Sequence, residues 1–340
     1  MRRSMAELFD ARSNPFHREA EIEHFLARDS RGRCVGRVAG VIHPAYVDKY
    51  GPKAFFGFFE SQEDDRLARA LLASVEGWAA ERGFKTVAGP YSYTSSQDVG
   101  VLMDGFDTPP ALLQAHNPSY YPRLLGESGY RPAFEMYTYT ATREAYGHRA
   151  PEMLARGAKI LGDEGITIRQ VDMEKYDQEL ETIRLLYNVS FAKHPESVPI
   201  SRPVFRAISA DLRPIVDASL VKIIEDNGRP VGFSVTVPNI NEILIGRSGR
   251  MTPPLLLRWK SLVAKIRSVV VVMIGVEPGV IGKGVGRCLA AEIVRSAALG
   301  RYHSVHTTWI HEKNWASRAL LKHLGCAPAR RYAVFEKTLC

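Results

Sequence analysis

The sequence contains few cysteines and no long apolar run. Its 340 residues include four cysteines, none of them in a Cys-x-x-Cys pair. This scarcity argues against a disulfide framework and against a structural zinc site, so we expect no metal and a reducing, cytoplasmic location. The sequence has no unbroken stretch of ~20 apolar residues and no signal-peptide core near Met1, so we expect neither membrane spanning nor secretion.

Acidic residues are scarce in the second half of the chain. Residues 1–150 carry a net charge of −1, whereas residues 151–340 carry +9. Within the basic half, the segment 247–267 holds six basic residues and no acidic one. A basic surface of this kind favours a phosphate-bearing ligand, RNA or an acidic carrier protein, and a solvated surface without a partner fits equally well.

The chain is organised around the stretch 268–287, in which an apolar run precedes a glycine-rich loop. β-Branched residues at 269–274 predict a strand, and the residues from Cys288 onward predict a helix. Between them, the loop 282–287 has the sequence GKGVGR. Glycines let a backbone approach an anion, and the N–H groups of the next helical turn favour negative charge. The stretch predicts a phosphate-binding loop; a tight turn is the structural alternative.

Two common phosphate-binding motifs do not fit this loop. A Walker loop needs Lys-Ser/Thr after its last glycine, but Arg287 follows Gly286 here. A dinucleotide-binding motif requires a repeated βαβ pattern with an acidic residue about 20 residues later, and residues 301–303 in that region are Arg, Tyr and His.

The sequence from here to the end resembles the second half of a GCN5-related N-acetyltransferase (GNAT) domain. In that family a strand ending in Val-x-Pro leads to a glycine loop, and a later strand leads to an asparagine and a helix. The matching positions here are Val276-Glu277-Pro278, Gly284-Val285-Gly286, Asn314 and Leu324-Gly325-Cys326. A closer resemblance, covering most of the chain, is to long bacterial proteins with two GNAT-like modules.

This resemblance implies a fold and a co-substrate. The fold class would be α/β (α+β), with tandem GNAT-like domains, each a mixed, largely antiparallel twisted sheet flanked by helices. The co-substrate would be acetyl-CoA or another acyl-CoA, with no metal. The backbone near Val276 would polarise the thioester, and Asn314 would contact the pantetheine. The predicted cofactor-binding residues are Val276, Gly282, Lys283, Gly284, Val285, Gly286, Arg287 and Asn314.

The sequence departs from the family pattern at two positions and leaves the general base open. Ile281 stands where the family has Arg or Gln, and Leu321 stands where a tyrosine often protonates the thiolate. The strand 268–276 carries no acid, although many relatives place their base there. Three catalytic candidates remain, and none of them is preferred: Glu277 at the strand end, His194 in the loop 192–199, and Tyr332 near the final strand.

The first half predicts a second module of the same type. A hairpin around Gly32, a strand at 55–59, a helix at 65–82 and a strand at 85–88 follow in family order. Three carboxylates at 63–65 replace the glycine loop, and they would repel a pyrophosphate. We therefore predict residues 1–145 as an N-terminal GNAT-like domain without the pyrophosphate loop and residues 150–340 as a GNAT domain with the acyl-CoA loop. The long loop 91–110 is of a length usually associated with function or flexibility.

The leading interpretation is an acyl-CoA-dependent N-acyltransferase acting on an amine of a small molecule or of a carrier-protein-bound substrate. Two alternatives remain. One is an aminoacyl-tRNA-dependent transferase, which would suit the basic half but needs no pyrophosphate cradle. The other is a catalytically inactive CoA-binding module. No membrane partner is expected. No nucleic-acid partner is expected either, except tRNA if the protein is an aminoacyl-tRNA-dependent transferase.

Overall fold

A computed structural model describes residues 2–162, 165–245 and 252–339 of the chain. These residues form one large mixed sheet flanked by helices, which confirms the predicted fold class. The glycine loop follows a strand and precedes a helix, as predicted. Residues 247–251 of the basic segment lie outside the described residues, and its remainder contains two short helices.

The strands of the described residues carry β-branched and aromatic side chains that suit a pleated, buried surface. They are β1 Glu21–Arg28, β2 Cys34–Ile42, β3 Ala54–Ser61, β4 Thr86–Gly89, β5 Val101–Asp104, β6 Arg131–Thr142, β7 Ile166–Gln170, β8 Val221–Asp226, β9 Arg229–Pro238, β10 Ser268–Val276, β11 Ser304–Thr307, β12 Ile310–His311 and β13 Ala327–Thr338.

The helices place their apolar stripes against this sheet. They are α1 Arg2–Phe9, α2 Pro44–Tyr50, α3 Asp65–Ala80, α4 Tyr121–Glu127, α5 Arg143–Gly147, α6 Ala150–Leu161, α7 Tyr176–Ser190, α8 Arg202–Ala210, α9 Asn241–Leu244, α10 Pro253–Leu257, α11 Trp259–Val263, α12 Val285–Leu299 and α13 Trp315–His323. Among the described residues, no helix is long and apolar enough to cross a bilayer.

The two halves of the chain repeat one arrangement and exchange their closing strands. The sheet order is β1-β2-β3-β4-β13-β6-β11-β10-β9-β8-β7. Each half forms an antiparallel ladder that ends in a parallel pair, β3 with β4 and β10 with β11. The strand beside each parallel pair comes from the other half, because β13 pairs with β4 and β6 pairs with β11.

The division of the chain into domains 1–145 and 150–340 remains a prediction, and the exchanged strands link these two ranges. Phe335 lies opposite Gly89, and Val305 lies opposite Ala141, so each predicted range contributes a strand to the other range's ladder. Strands β6 and β13 also pair with each other over nearly their full lengths. The two ranges therefore share one sheet and are joined by backbone hydrogen bonds.

The two faces of the sheet in the second half bury different helices. Phe233 and Met273 pack in a cluster with Ile183, Leu186 and Tyr187 of α7. Ile274 follows Met273 on β10, and Val276 lies two residues further along. Ile274 and Val276 pack with Val285 and Leu289 of α12 instead. Successive side chains of a strand point to opposite faces, so α7 and α12 lie on opposite sides of the sheet.

Two side chains of the first half hold backbone N–H groups. The Asp64 side chain caps α3 by accepting hydrogen bonds from the N–H groups of Arg66 and Leu67, so those groups already have a partner. The sequence Asn117-Pro118 is typical of a helix start, but α4 starts at Tyr121 and Asn117 instead accepts from the N–H of Leu102 at 2.7 Å.

Candidate active site

A gap opens between β10 and β11, and it defines the site. The two strands run parallel from Ser268 opposite Ser304 to Val271 opposite Thr307. Just beyond, Thr308 donates its N–H to the Val271 carbonyl at 3.1 Å and its hydroxyl to the Val272 carbonyl at 2.8 Å. β10 then continues to Val276 along β9. The segment after β11 turns away from β10, and its strand β12 pairs with β6. The two strands therefore diverge beyond Val271 and Thr307.

A cavity of about 730 Å³ passes through this gap and reaches both faces of the sheet. On one side it is lined by α12, α13 and the glycine loop, and on the other by the end of α7 and the loop after it. Most of its wall is apolar. The apolar side chains include Val271, Val272, Ile274, Ile293, Val294, Leu320, Leu321 and Leu324.

The glycine loop begins α12 with a backbone that suits an anion. Gly282 and Gly284 have φ values of +99° and +84°, in the left-handed region that favours glycine. A Cβ atom at Gly284 would lie 2.7 Å from Cδ1 of Ile160 on α6, so a larger residue cannot fit without movement. Gly284 is the N-cap of α12, and no side chain in the described part of the protein caps this helix. The first-turn N–H groups of α12 are therefore available to a negatively charged group.

The cavity wall contains most of the predicted cofactor-binding residues. They are Val276, Gly282, Gly284, Val285, Gly286, Arg287 and Asn314. Lys283 does not line the cavity; its ammonium points to the other side of the loop and pairs with Asp226 at 3.4 Å. Asn314 also caps α13, because its Oδ1 accepts from the N–H of Ser317 at 3.1 Å.

The predicted donor near Val276 has the required direction. The N–H of Glu277 donates to the Val231 carbonyl of β9 at 2.8 Å. Successive residues of a strand direct their N–H groups to opposite sides. The N–H of Val276 is therefore directed away from β9 and into the gap that β11 leaves open.

His194 lines the cavity on the α7 side of the sheet. Its Nδ1 lies 3.3 Å from the Pro195 carbonyl oxygen, which assigns the proton to Nδ1. Its Nε2 is buried and has no hydrogen-bond partner among the described residues. Burial lowers the pKa of His194 below its ordinary value, and the bond to Pro195 opposes this only in part. The ring is thus a neutral base with a free lone pair.

The loop that carries His194 is held by α2 of the first half. Lys49 Nζ donates to the carbonyls of Ala192 and Ser197 at 2.7 and 2.6 Å. The Tyr50 hydroxyl donates to the His194 carbonyl at 3.0 Å. Two more tyrosine hydroxyls, those of Tyr46 and Tyr91, donate to the Glu196 carboxylate at 2.8 and 3.2 Å. The first half thereby fixes the position of His194.

A second histidine, His311, faces the same cavity. It is 2% exposed, stacks on Phe134 and lies with its ring centroid 6.4 Å from that of His194. Its Nδ1 accepts from the N–H of Lys313 at 3.0 Å, so its Nε2 carries the proton. Burial lowers the pKa of His311 to about 4, and nearby His194 and Lys313 add to this effect. His311 is therefore a neutral hydrogen-bond donor.

The other two catalytic candidates, Glu277 and Tyr332, do not line the cavity. Glu277 pairs with Arg229 at 2.6 Å on the outer side of the strand end, because its side chain follows the turn rather than the gap. Tyr332 is 2% exposed, and its hydroxyl donates to the Ala115 carbonyl at 3.1 Å. Burial raises the pKa of Tyr332 to about 12. Neither residue has geometric support for a catalytic role.

Comparison with known proteins identifies a sequence relative that aligns with nearly the whole chain. No family model matches the chain. A bacterial ceramide synthase of Caulobacter vibrioides is 29% identical over 342 residues, which cover 96% of this chain and 86% of that protein.

Solved structures show the architecture. A tandem GNAT protein from the clavulanic acid biosynthesis pathway superposes with a TM-score of 0.51 at 12% identity, covering 94% of this chain and 83% of that one. This chain has the tandem GNAT fold. A GCN5-related glucosamine N-acetyltransferase region of a fungal β-N-acetylglucosaminidase has a TM-score of 0.55 at 13% identity, with 98% of this chain and 34% of that one covered.

Within the tandem GNAT fold, the two departures noted in the sequence have different settings. Ile281 is 72% exposed at the rim of the cavity, next to the glycine loop. Leu321 is 9% exposed and lines the cavity, so the position that often carries a tyrosine presents only hydrocarbon. The described part of the chain contains no group of three or more His, Cys, Asp or Glu side chains that could hold a metal ion.

Several polar residues that line the cavity were not predicted from the sequence. They include Asp98, Arg156, Ser190 and His311. The Ser190 Oγ is buried without a hydrogen-bond partner among the described residues. One signal was available for Asp98, because it lies in the long loop 91–110. The other three lie on regular helices or strands and carry no local signal.

Proposed function

We propose that this protein is an N-acyltransferase that uses a long-chain acyl-CoA to acylate the primary amine of a long-chain amino alcohol. The product would be an amide of the ceramide type. The observation that carries this proposal is the cavity through the sheet, because it joins an anion-binding helix terminus on one face to a neutral histidine base on the other.

The donor would lie on the α12 face. The first-turn N–H groups of α12 and the Arg287 guanidinium at the cavity wall suit the pyrophosphate of coenzyme A. Arg156 of α6 lines the same region and adds positive charge, although Glu152 pairs with it at 2.6 Å. The pantetheine would then extend past Asn314 into the gap between β10 and β11.

The acceptor would approach from the α7 face, where His194 lies. The amine nitrogen attacks the thioester carbonyl carbon, and the new C–N bond forms as the nitrogen passes its proton to Nε2 of His194. The N–H of Val276 stabilises the oxyanion. The C–S bond then breaks, and the sulfur leaves as the thiol by taking up the proton that the amine lost.

The lining favours long hydrocarbon chains over an acetyl group. The cavity volume, about 730 Å³, lies within the range of pockets that enclose whole ligands, ~300–1,000 Å³. Its apolar wall is contributed by β10, α12 and α13, and Leu321 adds hydrocarbon at a position often polar in the family. The resemblance to a bacterial ceramide synthase supports the same class of substrates.

The test is calorimetric titration with palmitoyl-CoA, acetyl-CoA and free coenzyme A. We expect micromolar binding of palmitoyl-CoA, at least tenfold tighter than that of acetyl-CoA. Gly286→Glu should weaken all three ligands at least tenfold, because it places a carboxylate in the first turn of α12. A Cβ atom at Gly286 makes only an ordinary contact with Val276 at 3.7 Å, so the fold should tolerate it.

Gly77→Glu is the matched control, since it adds the same carboxylate to the exposed face of α3, where a Cβ atom meets nothing within 4 Å. It should leave binding unchanged. Failure of all three ligands to bind the wild type would refute the proposal and turn attention to a tRNA donor. Equal affinity for palmitoyl-CoA and acetyl-CoA would refute the long-chain assignment.

A further inference from the structure

Part of the loop 91–100 of the first half reaches the acceptor side of the cavity. The hydroxyl oxygens of Ser96 and Tyr187 lie 2.9 Å apart. Tyr187 stacks on Phe191 with ring centroids 4.7 Å apart, and Phe191 lies 5.5 Å from the ring of His194. This chain of contacts joins the loop to the cavity wall that carries the proposed base.

Asp98 is the one carboxylate among the described residues that line the cavity. Its side chain is exposed at the cavity wall, and the protein atoms around it raise the pKa of its carboxyl group by partial desolvation. Within the described ranges, no hydrogen bond or ion pair to its carboxylate occurs. Most other acids near the site are paired, as Glu277 is with Arg229 and Glu152 is with Arg156.

The loop does not need the Asp98 carboxylate for its shape. Backbone bonds hold it: the N–H of Ser92 donates to the Asp98 carbonyl at 2.8 Å, and the N–H of Gly100 donates to the Pro90 carbonyl at 2.9 Å. Tyr91 and Val99 form a β-bridge between these bonds. The carboxylate is thus free of a structural task.

We propose that Asp98 binds the ammonium group of the acceptor, so the half without a glycine loop supplies the acceptor site. A cation in the cavity would pair with this carboxylate, which has no other partner among the described residues, and charge-assisted hydrogen bonds would orient the nitrogen. Ser95 and Gln97 line the cavity on either side of Ser96 and provide hydrogen-bonding groups for a hydroxyl. The ligand class is a long-chain amino alcohol in its ammonium form.

This inference rests on the proposed function for the reaction that follows binding. The ammonium first gives one proton to Nε2 of His194, which releases it to water, and the neutral amine then attacks the thioester. Asp98 holds the cation before this step and does not itself form a covalent bond.

The experiment measures binding of octylamine and octanol to the full chain by calorimetry, without acyl-CoA. The two ligands have the same chain length and differ in the charged nitrogen. We expect octylamine to bind the wild type at least tenfold more tightly than octanol. Asp98→Asn should remove this preference without changing octanol binding, and Asp98→Glu should restore part of it.

Asp104→Asn is the matched control, because Asp104 is exposed, lies outside the cavity wall and accepts only from the N–H of Gly105. It should keep the preference for the amine. An Asp98→Asn protein that still prefers octylamine, or a wild type with no preference, would overturn the proposal. Since acyl-CoA is absent, these outcomes are separate from failure of the palmitoyl-CoA titration.

Discussion

At the scale of single residues, the candidate site contains two histidines that burial keeps neutral. The bond from Nδ1 to Pro195 leaves Nε2 of His194 as an acceptor, while the N–H of Lys313 leaves Nε2 of His311 as a donor. The position of His194 in a loop predicts it as a candidate base from the sequence, whereas no sequence feature indicates His311. Their different roles depend on backbone groups that meet each ring only in the folded chain.

His194→Gln should lower kcat by about 10²–10⁴-fold, the usual contribution of a general base, and leave the Kd of palmitoyl-CoA unchanged. Burial lowers the pKa of His194 below 6.5, so its neutral, active form prevails at pH 7. Wild-type kcat should rise with pH through this lowered value. His311 titrates lower, near a pKa of about 4. Steady-state kinetics from pH 4.5 to 8 measures the loss of kcat in His194→Gln and the pH dependence of kcat in the wild type.

His148→Gln is the control, since His148 is exposed and does not line the cavity. It should keep the wild-type profile. An unchanged kcat in His194→Gln would exclude His194 as the base.

At the scale of elements, α2 positions the loop that carries the base. Lys49, Tyr46 and Tyr50 all donate from one short helix to the residues 192–197. Each sequence segment shows an ordinary surface pattern by itself. Their contact could not be predicted, because about 150 residues separate the two segments and no local rule pairs them.

Lys49→Met should lower kcat about tenfold, because small displacements of a catalytic group are costly, and should leave the KM for acyl-CoA unchanged. Amide hydrogen exchange at residues 191–198 should become faster. Lys49→Arg should recover part of the lost kcat, as it keeps donors for the Ala192 and Ser197 carbonyls.

Lys85→Met is the matched control for the lost charge, since Lys85 is exposed and its side chain makes no hydrogen bond or ion pair with the loop 192–199 among the described residues. It should behave as the wild type does. Unchanged hydrogen exchange in Lys49→Met would show that α2 does not hold the loop.

At the scale of the whole molecule, the exchanged strands β6 and β13 make each half depend on the other. β13 lies between β4 and β6, and β6 lies between β13 and β11. Unfolding one half would therefore remove a strand from the other and leave unpaired edges. The two halves should unfold together rather than as separate domains.

This cooperativity can be measured with the tryptophans, because Trp78 is the one tryptophan in residues 1–150. A variant with Trp259, Trp309 and Trp315 replaced by Phe reports on the first half, and Trp78→Phe reports on the second. Urea unfolding followed by fluorescence should show a single transition in each variant. After correction for each variant's own stability by circular dichroism, both probes should have coincident midpoints. Separated midpoints would show independent halves.

The sequence by itself determined the mixed α/β class, the order of most strands and helices, and the glycine loop with its helix. These features depend on patterns within short segments, such as the β-branched run 269–274 and the glycines at 282–286. Only the tertiary structure decided that Asp98 and His311 line the cavity, that Glu277 and Tyr332 do not, and that β6 and β13 change places. The physical reason is that burial, charge pairing and strand exchange arise from contacts between distant segments.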